Sequence, residues 1–135
     1  MRNVKIILSL LFSGLIFYFI FRSSNSKLRN DLNYKNHPTD IVKAAYKLGE
    51  RKDKSAVKQL LSNILDPRMS TNINFKGMTV CYCKLGALKK ISNLYPLAQP
   101  DQFSVDTIAA KFYLEWAIKE KIIQSKEEID LAYNY

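Results

Sequence analysis

One histidine, two cysteines, four glycines and four prolines are spread through 135 residues, and each scarcity excludes something. With His37 alone, no histidine pair exists to share a metal or relay a proton. Gly14, Gly49, Gly77 and Gly86 stand too far apart to form a phosphate-cradling loop. Cys81 and Cys83 are one residue apart in a stretch of helical patterning, where positions i and i+2 point about 200° apart. They do not pair readily with each other, and with only His37 elsewhere they leave a metal site short of ligands. They read as small thiols, core-facing or half-buried. So little Gly and Pro also means little punctuation between elements, which favours an all-α chain of long helices over a many-stranded sheet.

Acids are the scarcer charge, 12 against 21 Lys and Arg, for a formal net charge of +9. Five of the basic residues, Arg2, Lys5, Arg22, Lys27 and Arg29, precede the first acid, Asp31. The remaining 16 against 12 acids leave a net charge of only about +4, an ordinary solvated surface and not the footprint of a nucleic-acid binder. The acids are scattered among helix starts and exposed faces, without a paired-carboxylate arrangement or a nucleophile beside a base. No catalytic, cofactor-binding or metal-binding residues are predicted, and the chain reads as non-enzymatic.

What the sequence does have is one uncharged run, IILSLLFSGLIFYFIF from Ile6 to Phe21, preceded by Arg2 and Lys5 and closed by Arg22. As a helix its 16 residues rise about 24 Å, short of a ~30 Å hydrocarbon core by an amount that snorkelling flanks make up. The exit Ser24-Asn25-Ser26 is a poor cleavage site, and Phe12, Phe17, Tyr18, Phe19 and Phe21 are bulky for a signal core. Residues 1–22 are therefore expected to be a retained single-pass membrane anchor, touching the membrane through residues 4–21. Arg2, Lys5 and the terminal amine nearly balance Arg22, Lys27 and Arg29, and the expected orientation is N-terminus inside with the domain on the non-cytoplasmic side. Residues 23–36, polar and rich in Asn and Ser, read as a tether, and residues 37–135 as the helical domain.

Beyond the tether, apolar residues recur at helical spacing. Ile41, Ala44, Ala45 and Leu48 form one stripe between His37-Pro38-Thr39 and a stop at Gly49. Val57, Leu60, Leu61, Ile64 and Leu65 form a second, capped by Asp53 or Ser55 and ended by Asp66-Pro67. Met78, Cys81, Leu85, Leu88 and Ile91 form a third, which ends before Pro96. After the connection Gln99-Pro100-Asp101, a fourth helix is predicted over 104–122, its core side carrying Ile108, Phe112 and Trp116. Ser125-Lys126-Glu127-Glu128 has the capping-box pattern and opens a short terminal helix with Ile129, Leu131, Ala132 and Tyr133. Large aromatics usually fill the core of so small a domain, whereas Phe75, Tyr95 and Phe103 lie in or beside connections and are candidates for a binding surface.

Ala44-Ala45-Tyr46-Lys47-Leu48-Gly49 is echoed by Cys81-Tyr82-Cys83-Lys84-Leu85-Gly86, so Lys-Leu-Gly recurs after 37 residues, a helical-repeat interval. The small residues at 44, 45, 81 and 83 allow close helix approach. From Thr39 to Ser92, about 55 residues, the order of Leu-Gly helix end, charged connection, Ala56-Val57 helix, Asp66-Pro67 and Leu85-Gly86-Ala87-Leu88 resembles a HEAT-like repeat. The resemblance implies a scaffold whose helical faces or loops contact another protein. Arg68 to Lys76 is longer than such repeats need between these elements, and a connection that packing does not require is often functional. Its guanidinium, apolar and amide groups make Arg68, Met69, Asn72, Asn74 and Phe75 the candidate partner-binding residues. The expected role is a membrane-tethered, non-enzymatic protein-binding module, either an adaptor or an immunity-type inhibitor. The alternative is a peripheral binder of anionic lipid or polymer through Arg22, Lys27 and Arg29, the Arg51–Lys54 segment and Lys89-Lys90.

Overall fold

A computed structural model describes residues 2–75, 77–97 and 100–132, with side chains from Phe12 onward. Lys76, Gln99 and Tyr133, named in the expectations above, lie outside the described residues, as do the side chains of Ile6 to Leu11 in the apolar run. The elements are all helical: α1 Arg2–Asp31, α2 Pro38–Glu50, α3 Val57–Leu61, α4 Val80–Ser92 and α5 Thr107–Lys119, with single 3-10 turns at Lys54–Ala56, Ile73–Phe75 and Lys126–Glu128. Among the described residues there is no strand, only an isolated bridge between Met69 and Thr79. No helix among them is long and apolar enough to cross a membrane.

Residues 23–31 are not a loose tether. Helix α1 continues through them, because Asn25, Leu28 and Leu32 recur at helical spacing and are buried. Arg51 fastens this stretch by donating to the Asn25 side-chain oxygen and to Ser24 Oγ, and Arg29 pairs with Asp53 at 2.9 Å. The chain then turns at Leu32–His37, where Asn36 Nδ2 donates to the carbonyls of Asn30 and Asp31, and α2 runs back antiparallel to α1. His37 opens α2 as its N-cap, with Nδ1 accepting from the Thr39 amide at 3.3 Å and Pro38 in the first turn.

Helix α2 packs most extensively on α4, and the two run in the same direction. At their N-terminal ends Thr39 Oγ1 meets Ser70 Oγ at 3.3 Å, while the Ser70 amide bonds Met78 O just before α4. At their C-terminal ends Gly49 abuts Ala87, and Lys90 pairs with Glu50. Gly49 therefore does not stop α2, which continues to Glu50. Its missing side chain lets the two backbones touch. Ala44, Ala45 and Cys81 are buried and Cys83 is half-buried, both thiols unpaired.

The second predicted helix is cut short. Helix α3 ends at Leu61, Asn63 takes a left-handed φ of 49°, and the amides of Asn63 and Leu65 donate to the carbonyls of Asp130 and Leu131. A distant segment of the chain competes successfully for backbone groups that a longer helix would have used. Ser125 likewise opens only one 3-10 turn. Its hydroxyl makes no cap bond, although Glu128 Oε1 accepts from the Gln124 amide at 2.9 Å. Helix α5 starts at Thr107, since Asp106 is its cap and accepts from the Ala109 amide at 2.8 Å. Its buried face is Ala109, Ala110, Tyr113, Leu114 and Ala117, whereas Ile108 is 80% exposed and Phe112 and Trp116 are only partly covered. The small alanines let α5 sit close to the core, with Phe112 and Trp116 packed against the core's edge.

Candidate functional site

The sequence-predicted site residues are brought to the N-terminal ends of α2 and α4, but they do not form one open surface. The Arg68 guanidinium is turned inward. Its Nε and Nη2 fork the Asp66 carboxylate at 2.7–3.1 Å, Nη2 also donates to Tyr34 O at 2.6 Å, and Nη1 to Asn36 O at 3.3 Å. With Asp66 1% exposed, this bidentate pair ties the turn after α1 to the start of α4. The segment is further fastened by the Val80 amide on Arg68 O and the Ser70 amide on Met78 O. Asn72 Oδ1 accepts from the Asn74 amide at 2.9 Å and shapes the 3-10 turn, and Phe75 sits edge-on to Tyr46 with ring centroids 5.9 Å apart. Met69 and Asn74 remain exposed, beside Ile73.

A buried polar group at the centre of the domain carried no sequence signal distinguishing it from a surface lysine. Lys84 is fully buried, and its Nζ donates to the Ser62 carbonyl at 2.8 Å, closing the C-terminal end of α3. Desolvation pulls the ammonium down to about 8, a fall that the Asp66 charge partly opposes. The corresponding Lys47 in the first Lys-Leu-Gly copy is exposed, so the two copies have different environments. Burial also raises both thiols, Cys83 to about 12, which keeps them protonated and unreactive at neutral pH.

A concave surface lies elsewhere, between the C-terminal part of α4 and the outer face of α5. Ile91, Leu94, Phe112 and Trp116 form its apolar lining, Lys54, Lys119, Glu115 and Glu120 its charged rim, and its volume is about 460 Å³. Tyr113, on the adjoining face of α5, donates from its hydroxyl to Leu94 O at 3.1 Å and so fixes the groove's end. The half-covered Phe112 and Trp116, expected in the core, pack against its edge and supply the groove's aromatic wall with their open sides. This arrangement suits an amphipathic segment that inserts an apolar side chain between charges of both signs. Sequence periodicity alone could not separate such a wall from core, since both give the same helical stripe. Among the described residues, no group of three or more His, Cys, Asp or Glu is placed to hold a metal ion.

Compared with known protein families, curated proteins and solved structures, the chain has no match.

Proposed function

We propose that the chain is a membrane-tethered, non-enzymatic protein-binding module, anchored by the apolar half of α1 and receiving its partner in the groove between α4 and α5. The observation that carries the reading is the division of α1 into two halves. From Phe12 to Phe21 its large side chains are exposed on every side of the helix, including Phe17 at 78%, whereas Asn25, Leu28 and Leu32 are built into the domain. A helix that is apolar all round calls for an apolar surrounding, and the domain leaves the large side chains of this run exposed. Together with Ile6 to Leu11, the exposed segment forms the uncharged run between Lys5 and Arg22. The groove supports the partner half of the reading, since it pairs a half-covered Trp and Phe with a rim of mixed charge.

Two measurements test this. Full-length protein in membranes should resist a carbonate or high-salt wash, and a chain starting at Ser23 should be released; a full-length chain that is washed off removes the anchor. A photoreactive residue replacing Trp116 in the membrane-bound protein should give a discrete protein adduct that one replacing Ile73 does not. Lipid-only or absent adducts at position 116 remove the groove as the partner site.

A further inference from the structure

Helix directions bring a second apolar segment to the end of the domain from which α1 emerges. Because α2 is antiparallel to α1, its C-terminal end meets the close of the apolar run: the Arg51 guanidinium lies 5.1 Å from the Phe21 ring centre and donates to Ser24 and Asn25. Because α4 runs with α2, its C-terminal end lies there too, through the Gly49–Ala87 contact and the Lys90–Glu50 pair. From Ala87 to Ser92 the helix rises about 7 Å more, roughly the rise along α1 from Asn25 back to Phe21. Asn93 then ends α4 in a left-handed conformation, and the chain leaves the helix as Leu94-Tyr95-Pro96-Leu97.

This connection is apolar and bare. Tyr95 is 66% exposed and Leu97 is wholly exposed, with Leu94 partly so. Lys89 sits over the Tyr95 ring, with Nζ 4.4 Å from its centre. The same end of the domain carries exposed Arg22, Arg51, Lys52, Lys54 and Lys90, against which Glu50 is paired with Lys90, Asp53 with Arg29, and Glu115 and Glu120 share the groove rim with Lys54 and Lys119. An exposed Tyr and Leu surrounded by an excess of cations, at the level where an apolar helix begins, is the composition of a surface that enters an anionic headgroup layer.

We propose that the Tyr95–Leu97 part of this connection dips into the bilayer interface while Lys52 and Lys89 engage anionic lipid phosphates, holding the domain against the membrane in one orientation. The proposal rests on α1 being the anchor. With α1 a continuous helix into the domain core, the domain is not free to swing on a tether, so the second contact follows from the same rigid geometry.

The test uses the full chain in phosphatidylcholine–phosphatidylglycerol vesicles with brominated acyl chains, in a Trp116→Phe background that leaves a single reporter. Leu97→Trp should be quenched several-fold more than Met69→Trp, at an exposed position that pairs with Thr79 beside the opposite, N-terminal end of α4. In the unmodified chain, amide exchange at Tyr95 and Leu97 should slow several-fold in the anionic vesicles relative to pure phosphatidylcholine. Lys52→Glu combined with Lys89→Glu should remove that difference. Carbonate-resistant protein whose residue 97 is quenched no more than residue 69, or whose exchange is the same in both lipids, overturns the proposal and leaves the anchor standing. Release by carbonate overturns the anchor and this contact with it.

Discussion

Gly49 and Ala87 touch backbone to backbone: a Cβ built on Gly49 would stand 2.8 Å from Ala87 Cα and 3.1 Å from its Cβ. Alanine normally gains about 0.5–1 kcal/mol over glycine inside a helix, but here the added methyl meets a main-chain atom that cannot swing aside. Gly49→Ala should therefore destabilise the fold by about 1–3 kcal/mol. Gly86, its counterpart in the second Lys-Leu-Gly copy, has nothing within 4 Å of such a methyl, so Gly86→Ala should stabilise by about 0.5–1 kcal/mol. Chemical denaturation of the two variants decides it, and equal effects would mean that α2 and α4 do not cross at Gly49.

Lys84 gives a pH signature. Its pKa of about 8 in the fold lies below the ordinary lysine value of 10.5 expected in the unfolded chain, so between these values the unfolded state holds more protons and stability rises with pH. Cys81, Cys83 and Tyr113 work in the opposite direction, because their raised values make the unfolded state lose protons first, above about pH 9 for the thiols and about 10 for the phenol. Lys84→Met should abolish the alkaline gain while leaving the opposing losses. The stability difference between parent and variant should shift in the parent's favour from pH 8 to 10.5. A difference independent of pH over that window would place the ammonium in water.

Arg68 is a structural tie, judged by its partners. Arg68→Ala strips a nearly inaccessible Asp66 of its guanidinium and the carbonyls of Tyr34 and Asn36 of a donor. The expected cost is about 2–4 kcal/mol, read as a lowered midpoint of thermal or denaturant unfolding. Met69→Ser, on an exposed side chain in the same segment, should change stability by less than about 0.5 kcal/mol. Similar midpoints for both would return Arg68 to the surface role that its position in a long connection first predicts.

The lower half of α1 belongs to the domain. A chain starting at Asn36 lacks Leu28 and Leu32, both in the core, together with the partners of Arg51 and Asp53. It should be about 3–6 kcal/mol less stable than one starting at Ser23, from the two lost leucines alone. Matching unfolding curves for the two fragments would show that residues 23–35 are dispensable for folding.

Local signals in the sequence were enough for the helical class, for the start of α2 and for the stripes around Leu48, Leu61 and Leu85. All depend on short-range chemistry: a proline and a capping residue at a helix start, and apolar side chains every three or four residues. The scarcity of glycine was equally informative, yet the role of each glycine was not, because a glycine that ends a helix and one that admits a neighbouring backbone look alike in one dimension. Tertiary structure decided that Gly49 does the second and Gly86 neither. It also decided that Lys84 is buried where Lys47 is exposed, since only the position of α3's last carbonyl distinguishes them. The groove wall of Phe112 and Trp116, and the Leu94–Leu97 connection at the emerging end of α1, follow from helix direction and rotation. Those are set by which faces pack closest, a property of pairs of helices that no single stretch of sequence contains.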